Sequence, residues 1–597
     1  MDAYKDVLWR VCGSLHTYLR LEQTSMRVFA VSALALCGAV LGQSSVDSYV
    51  ATESPIAKAG LLANIGPSGA LASGASAGVV IASPSTVNPD YLYTWVRDSS
   101  LVFKELIDEF TTGKDTTLLG QIKNFIAAES TLQQTSNPSG SVSTGGLGEP
   151  KFNIDLTAFT GAWGRPQRDG PALRSTAMIT YANWLLTNTS SSSEVLSDLW
   201  PIIKLDLDYV ANNWNQSTFD LWEELDYSSF WTTAVQHRSL RQGATLATKL
   251  GQNATLYTAQ ANNALCFLQS YWNPTGGYMT SNTGGGRSGI DANTALASIH
   301  TFDPEAGCDA ATFQPCSDKA LSSLKVYVDS FRSIYTINDG IASNAAVATG
   351  RYPEDVYQGG NPWYLTTAAV AEQLYDALIV WKAQGSLEVT QTSLAFFKQF
   401  LSSVTTGTYK SSSSTFSTIT AGVLAFAEDT LAIHAKYTPT NGSLAEQFSK
   451  SNGTPLSAFD LTWSYAAALT VFSARAGTVP ASWGAMGLTV PSVCELGPPA
   501  PTVNVTFNVD ATTQLGEDIY ICGSIPQLQN WDPDTALILS PANYPIWSIT
   551  VAVPPDTDIQ YKYIRKNNGV LEEWESDPNN EFTSPVSGTA TRNDTWR

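Results

Sequence analysis

Charge is scarce in this chain. Only 14 % of its 597 residues are Asp, Glu, Lys or Arg, against roughly 25 % in ordinary soluble proteins. Basic residues are the scarcer kind: 33 Lys and Arg face 53 Asp and Glu, for a net charge of -20. That deficit argues against nucleic-acid binding and against docking on anionic membranes, both of which need clustered Lys and Arg. There are four His and seven Cys with no close Cys/His grouping, so a zinc site is not expected. Long apolar runs are also few. The exception is MRVFAVSALALCGAVLG, residues 26–42. Arg27, an apolar stretch and small residues at its end make it a secretory signal, short for a membrane span. Nothing else in the sequence reads as transmembrane. Residues 1–25 carry no targeting logic and are taken as a gene-model extension, with Met26 as the start.

Ser, Thr, Gly and Asn take the place of charge, as in secreted proteins. Aromatics are abundant, with 17 Trp and 24 Tyr; most serve packing, but flat sugar rings stack on such faces. Seven N-x-S/T sequons, at Asn188, Asn215, Asn253, Asn441, Asn452, Asn504 and Asn593, suit a glycosylated surface. Secretion favours disulfides. Cys308 and Cys316, eight apart, suit a local loop staple, while sequence alone leaves the wider pairing open.

A chain of this length exceeds one ordinary domain. Between about residues 55 and 476, apolar residues recur at three- and four-residue spacing and predict roughly a dozen helices. The segments are 101–110, 118–132, 171–186, 195–214, 256–271, 319–334, 363–381, 393–404, 421–434 and 460–474, with long loops between them. Loops of that length in a compact domain are usually functional. After Cys494 the character changes. ELGPPAPTV, residues 495–503, is a short Pro-rich linker. Beyond it alternating runs such as VNVTFNV, DIYICGS, WSITVAV and IQYKYIR predict a small antiparallel β-sandwich over 504–597.

Six separated stretches share one composition, acid or Arg beside aromatics: YLYTWVRD, AFTGAWGRPQRDGP, FDLWEELDYSSFW, GRYPEDVYQGGNPW, NGSLAEQF and LSAFDLTWSY. Singly, each fits a buried ion pair, a helix cap or a packing ring. Six such loops alternating with helices are better explained as the rim of one pocket.

These strings, with GLGEPKFN, AVQHR, SIHTFDPEA and EWESDP, resemble the fungal glucoamylases of glycoside hydrolase family 15 from about Ser54 to Arg597. The resemblance implies a mainly α fold, an (α/α)6 barrel over residues 43–494. It implies exo-hydrolysis of α-1,4 and, slowly, α-1,6 links from non-reducing ends of starch and maltooligosaccharides, releasing β-D-glucose with inversion. No cofactor or metal is implied, and a secreted monomer is expected. Inversion needs one protonated and one ionised carboxyl. By motif, Glu223 matches the general acid and Glu446 the general base. Neighbouring carboxylates and apolar rings favour the neutral form of a carboxyl, so Asp220, Trp222 and Glu224 are expected to keep Glu223 protonated. Glu224 and Leu221 match second-sugar contacts, and Arg97, Asp98 and Arg351 match the grip on the terminal glucose. Tyr91 matches a ring near the catalytic water. Trp95, Trp163, Trp222, Tyr357, Trp363 and Trp463 match the aromatic wall. Phe159, Phe448 and Phe459 depart from residues usual in the family.

The resemblance pairs Cys266 with Cys494 and Cys308 with Cys316. The last domain resembles family 20 starch-binding modules. Trp531 and Trp574 match stacking rings of a first glucan site, with Lys562 and Asn579 as donors. Tyr544 and Trp547 match a second site, which is expected to be weaker because Leu515 stands where Tyr is common. Cys522 is expected as an unpaired buried thiol. The alternatives are another hydrolase of this barrel class, such as a glucodextranase or trehalase, and an inactive starch-binding protein. The starch module argues against the first, and retention of both carboxylates against the second.

Overall fold

The structure is a computed structural model that describes residues 27–189, 192–496 and 503–597, with side chains described from Ser45 onward. The expected gene-model extension and most of the expected linker lie outside the described residues. Among those described, twelve helices have eight or more residues. They are α1 (Arg27–Ala63), α2 (Val96–Thr111), α3 (Leu119–Gln134), α4 (Asp169–Asn188), α5 (Trp200–Asn213), α6 (Phe230–Lys249), α7 (Thr255–Leu268), α8 (Asn293–His300), α9 (Asp318–Ser330), α10 (Tyr364–Gln384), α11 (Ser414–Tyr437) and α12 (Thr462–Arg475).

Their contacts form two rings. The even-numbered helices touch in sequence, α2 to α4, α6, α8, α10 and α12, and α12 closes back on α2. Each odd-numbered helix packs outside: α1 on α12, α3 on α2, α5 on α4, α7 on α6, α9 on α8 and α11 on α10. This is the expected (α/α)6 barrel. α11 is long and apolar enough to cross a membrane by length and composition alone. Here it lies against α10 and α1.

An inner helix faces protein on every side, so its polar residues are buried with its apolar ones. In α4 every residue from Asp169 to Ala182 is buried, and in α6 every residue from Phe230 to Leu240. Buried charge then needs a partner. Arg174 of α4 donates to Asp206 of α5 at 2.6 and 2.8 Å and to Glu129 of α3 at 3.0 Å. One guanidinium thereby ties one inner helix to two outer ones. The Cys266–Cys494 and Cys308–Cys316 disulfides are both present. The first returns the end of the helical domain to α7.

Three helical expectations fail. α6 and α8 were absent from the reading, and residues 393–404 hold only a helical turn at Leu394–Phe397. The expected signal segment is the beginning of α1, whose backbone continues to Ala63.

The last domain is two sheets. Its strands are β1 (Val503–Asp510), β2 (Glu517–Gly523), β3 (Leu537–Ile538), β4 (Ser540–Asn543), β5 (Ile546–Val553), β6 (Asp558–Asn567), β7 (Val570–Trp574), β8 (Asn580–Thr583) and β9 (Thr589–Thr595). One sheet runs β4-β5-β1-β9, the other β3-β2-β6-β7 with β8 also on β6. Pairing is antiparallel except for β1 with β9, which is parallel. Val505, Phe507 and Val509 alternate inward from β1 to meet Tyr561 and Tyr563 of β6.

Replacing Arg174 by Ala leaves Glu129 and Asp206 buried without their cation. Urea unfolding should show a loss of about 3–5 kcal/mol; a loss under about 1 kcal/mol would mean that the triad does not brace the two layers.

Candidate active site

A cavity of about 690 Å3 opens where the inner helices begin. Trp95 caps the N-terminus of α2 and Trp363 that of α10; Arg97, Asp169 and Trp463 lie in the first turns of α2, α4 and α12. Helix N-termini carry partial positive charge, which suits a site built from carboxylates.

The loop from Asp220 to Leu225 is folded around a buried side chain. Asp220 Oδ1 accepts from the Glu224 backbone N–H at 2.9 Å and from that of Leu225 at 3.4 Å. The Glu223 N–H donates to the Asp220 carbonyl at 2.9 Å. This turn puts Glu223 at φ 66°, in the left-handed region that non-glycine residues rarely occupy. The consequence is that Glu223 and Glu224, adjacent in sequence, serve different walls.

Glu223 meets donors. Trp95 Nε1 stands 2.7 Å from Oε1 and Trp163 Nε1 2.9 Å from Oε2. Gln167 Nε2 is at 3.0 Å and Arg97 Nη2 at 3.4 Å. The three side chains expected to act on Glu223 have other partners. Trp222 donates to Asp291 instead, Asp220 is engaged by backbone N–H groups, and Glu224 turns to two arginines.

Glu224 accepts from Arg351 at 2.9 Å, Arg287 at 2.6 Å and the Tyr352 hydroxyl. Burial alone would raise its pKa; the Arg351 charge, the Tyr352 hydrogen bond and Arg287 outweigh it and the net shift is downward. Arg351 is itself held by Asp355 at 2.6 and 2.8 Å and lies over the rings of Trp222, Tyr357 and Trp363. Across the pocket Arg97 is braced by Gln167 at 2.8 Å and Asp169 at 3.3 Å, and its Nε faces Asp98 Oδ2 at 3.6 Å. Burial raises Asp98 to about 6 although Arg97 pulls the other way.

Glu446 is 1 % exposed. It accepts from the Ser457 hydroxyl, and from Gln447 Nε2 at 3.0 Å. Burial pushes it up to about 7, opposed by Ser457, Tyr91, Arg351 and Gln447. The Tyr91 and Tyr357 hydroxyls join at 2.8 Å beside it.

All fourteen residues expected of the catalytic domain line this one cavity: Tyr91, Trp95, Arg97, Asp98, Trp163, Leu221, Trp222, Glu223, Glu224, Arg351, Tyr357, Trp363, Glu446 and Trp463. Sequence reasoning missed several others. The Lys151 ammonium lies 3.6 Å from the Trp163 ring centre, 4.0 Å from Tyr93, 4.4 Å from Phe159 and 4.5 Å from Trp95. It binds together the rings that hold Glu223. Burial lowers it to about 8. Its place in GLGEPKFN gave no sign of this, because the cage forms only when Lys151 pairs across a β-bridge with Trp95. Gln167, Arg287, Tyr352 and Ser457 were also missed.

In the sandwich, Trp531 and Trp574 pack on one small cluster of Cys522, Ala536 and Ile564. Lys562 donates to Asp577 at 2.6 Å and to the Glu575 carbonyl at 3.1 Å, and Asn579 to Gln560 at 3.0 Å. Cys522 is a free buried thiol, pushed by burial to about 12. Tyr544 is half exposed, but Trp547 is only 3 % exposed. Trp547 belongs to the sandwich core and donates to the Ala511 carbonyl. The resemblance matched Trp547 to a second glucan site; that match is corrected, because strand alternation turns the ring into the core.

Residues 55–473 match Glycosyl hydrolases family 15, and residues 502–594 match the Starch binding domain. The chain belongs to glycosyl hydrolase family 15. It is a glycoside hydrolase of the glucoamylase kind with a C-terminal starch-binding domain. It is 60 % identical to Glucoamylase-1 of Schizophyllum commune over 95 % of this chain and 99 % of that one. It is 50 % identical to a Neurospora crassa Glucoamylase over 93 % and 94 %. The solved family 15 glucoamylase from Hypocrea jecorina is 51 % identical, with a TM-score of 0.74 over 92 % of this chain and 100 % of that one.

Proposed function

We propose that this family 15 hydrolase works by two carboxyls in opposite states, Glu223 as general acid and Glu446 as general base. The observation that carries the assignment is the contrast between their surroundings. A protonated Glu223 that gives its proton to a glycosidic oxygen becomes a carboxylate. Two indole N–H groups, the Gln167 amide and Arg97 are already aimed at that charge. Donors placed where charge develops act on the transition state more than on the ground state. Glu446 does the reverse. It takes a proton from water and becomes neutral, the form its burial favours. Both transfers run in the direction that each environment rewards.

Arg351, Asp98 and Arg97 offer charged hydrogen-bonding groups to sugar hydroxyls. Glu224, kept ionised by its arginines, offers acceptors, and Tyr91, Trp95, Trp163, Trp222, Tyr357, Trp363 and Trp463 supply ring faces and edges. The fit is to the chain end of an α-glucan, cut by inversion to release β-D-glucose. Trp531 and Trp574 form the starch platform, with Lys562 and Asn579 at its edge and Tyr544 as the exposed ring of a weaker second patch. The two disulfides suit an extracellular protein.

Anomer-resolved NMR of soluble starch hydrolysis tests the mechanism. The first glucose signal should be β. Glu223→Gln and Glu446→Gln should each lower turnover by at least about 100-fold while substrate still binds. Initial α-glucose would defeat inversion, and near-normal turnover of Glu446→Gln would defeat its role as base.

The Ser457 hydroxyl stabilises ionised Glu446, so Ser457→Ala raises the base's pKa further. A base must be ionised to act, so the acidic limb of the kcat/KM profile should move to higher pH, by roughly one unit for one hydrogen bond to a charged group. A downward move or no change contradicts the assignment.

Trp531→Ala combined with Trp574→Ala should slow digestion of granular starch several-fold and leave soluble maltooligosaccharides unaffected. An equal loss on both substrates would show that the sandwich does not serve adsorption.

A further inference from the structure

The barrel holds a second cavity of about 460 Å3, a size that accepts small molecules. It shares no lining residue with the first. Its rim is made where the inner helices end, at Thr111 of α2, Asn188 of α4, His300 of α8 and Ala474 of α12. It is the rear of the barrel.

Five carboxyls line it, and three of them enter no ion pair: Glu105 from α2, and Glu372 and Asp376 one turn apart on α10. They are 6 %, 9 % and 3 % exposed. Glu372 accepts a 2.6 Å bond from Thr470. Among the described residues no hydrogen bond or ion pair engages the side chain of Glu105 or Asp376, and Glu105 Oε1 is a buried acceptor with no donor. Arg238 of α6, 5 % exposed, gives Nη1 to the His300 carbonyl and leaves Nε unpartnered. The remaining charges at the cavity are matched, Lys104 with Asp108 and Lys114 with Glu109. His300 is kept neutral, lowered to about 3 by burial and then by Arg238 and Lys104. Three carboxyls thus face a single unmatched guanidinium.

We propose that this rear cavity binds a small organic cation, an ammonium group carried on an apolar or hydroxylated body. Helix C-termini carry partial negative charge and favour cations, and four of them meet at this rim. Leu101, Leu173, Ile299 and Phe302 give apolar wall for the body of such a ligand. A bare metal ion fits less well, because no three or more acidic, His or Cys side chains gather at ligating spacing among the described residues. The empty cavity keeps protons on its acids: burial first, then Glu109 and Asp108, raises Glu105 to about 8, and burial raises Glu372 to about 7. A bound ammonium takes the place of those protons, so affinity rises as pH goes from 5 to 8.

Calorimetric titration of the full chain with 1,4-diaminobutane tests this, with butane-1,4-diol as the neutral control. One saturable site is expected, at least tenfold tighter at pH 8 than at pH 5, and no response to the diol. Glu105→Gln with Asp376→Asn should weaken it at least tenfold while starch turnover stays within twofold. Thr478→Arg, on the exposed wall after α12, places a competing cation at the mouth without touching the core and should abolish binding. The proposal is overturned by absence of saturable binding, by equal binding of the diol, by unchanged affinity in Thr478→Arg, or by a diamine that only competes with soluble starch for the catalytic cavity.

Discussion

The buried carboxylate of Asp220 is the constraint on which the catalytic site depends. Two backbone N–H groups that follow it in sequence converge on one of its oxygens. The chain can satisfy that geometry only by passing through a left-handed residue, and the residue that takes it is Glu223. Local strain of this kind costs about 1–3 kcal/mol and is held by the packing of Leu221 and Trp222 beneath. In return, two neighbouring glutamates are turned apart. One reaches the indoles of Trp95 and Trp163, the other the guanidinium groups of Arg351 and Arg287.

That separation lets one pocket hold carboxyls with unlike tasks. Glu224 is surrounded by positive charge and stays ionised. Glu446 is buried deeply enough that neutrality is favoured. Glu223 has donors on both oxygens. The barrel contributes to all three by directing the starts of its inner helices at the site, so that its partial positive charges gather where negative groups must be held.

Much of this was legible in the sequence, and the failures have physical causes. The amphipathic spacing of α3, α5 and α9 marks helices with one wet face. α6 was missed, and its burial does not follow residue type: Gln236, His237, Arg238 and Gln242 are buried along with Phe230 and Trp231, so apolar content does not mark its enclosed face. The six aromatic and acidic motifs located the pocket but not the partnerships inside it. Trp222 sits next to Glu223 in the chain yet bonds Asp291. Lys151 lies 72 positions before Glu223 and yet knits together the rings that hold it. Trp547 was misplaced for a related reason: a motif gives a residue's type, whereas strand register gives its face.

The Cys266–Cys494 disulfide has a mechanical consequence. It fixes the tail of the helical domain at Cys494, and β1 of the sandwich begins at Val503. Nine residues of chain span at most about 30 Å. Chain length alone therefore keeps the first strand of the sandwich within that distance of Cys494.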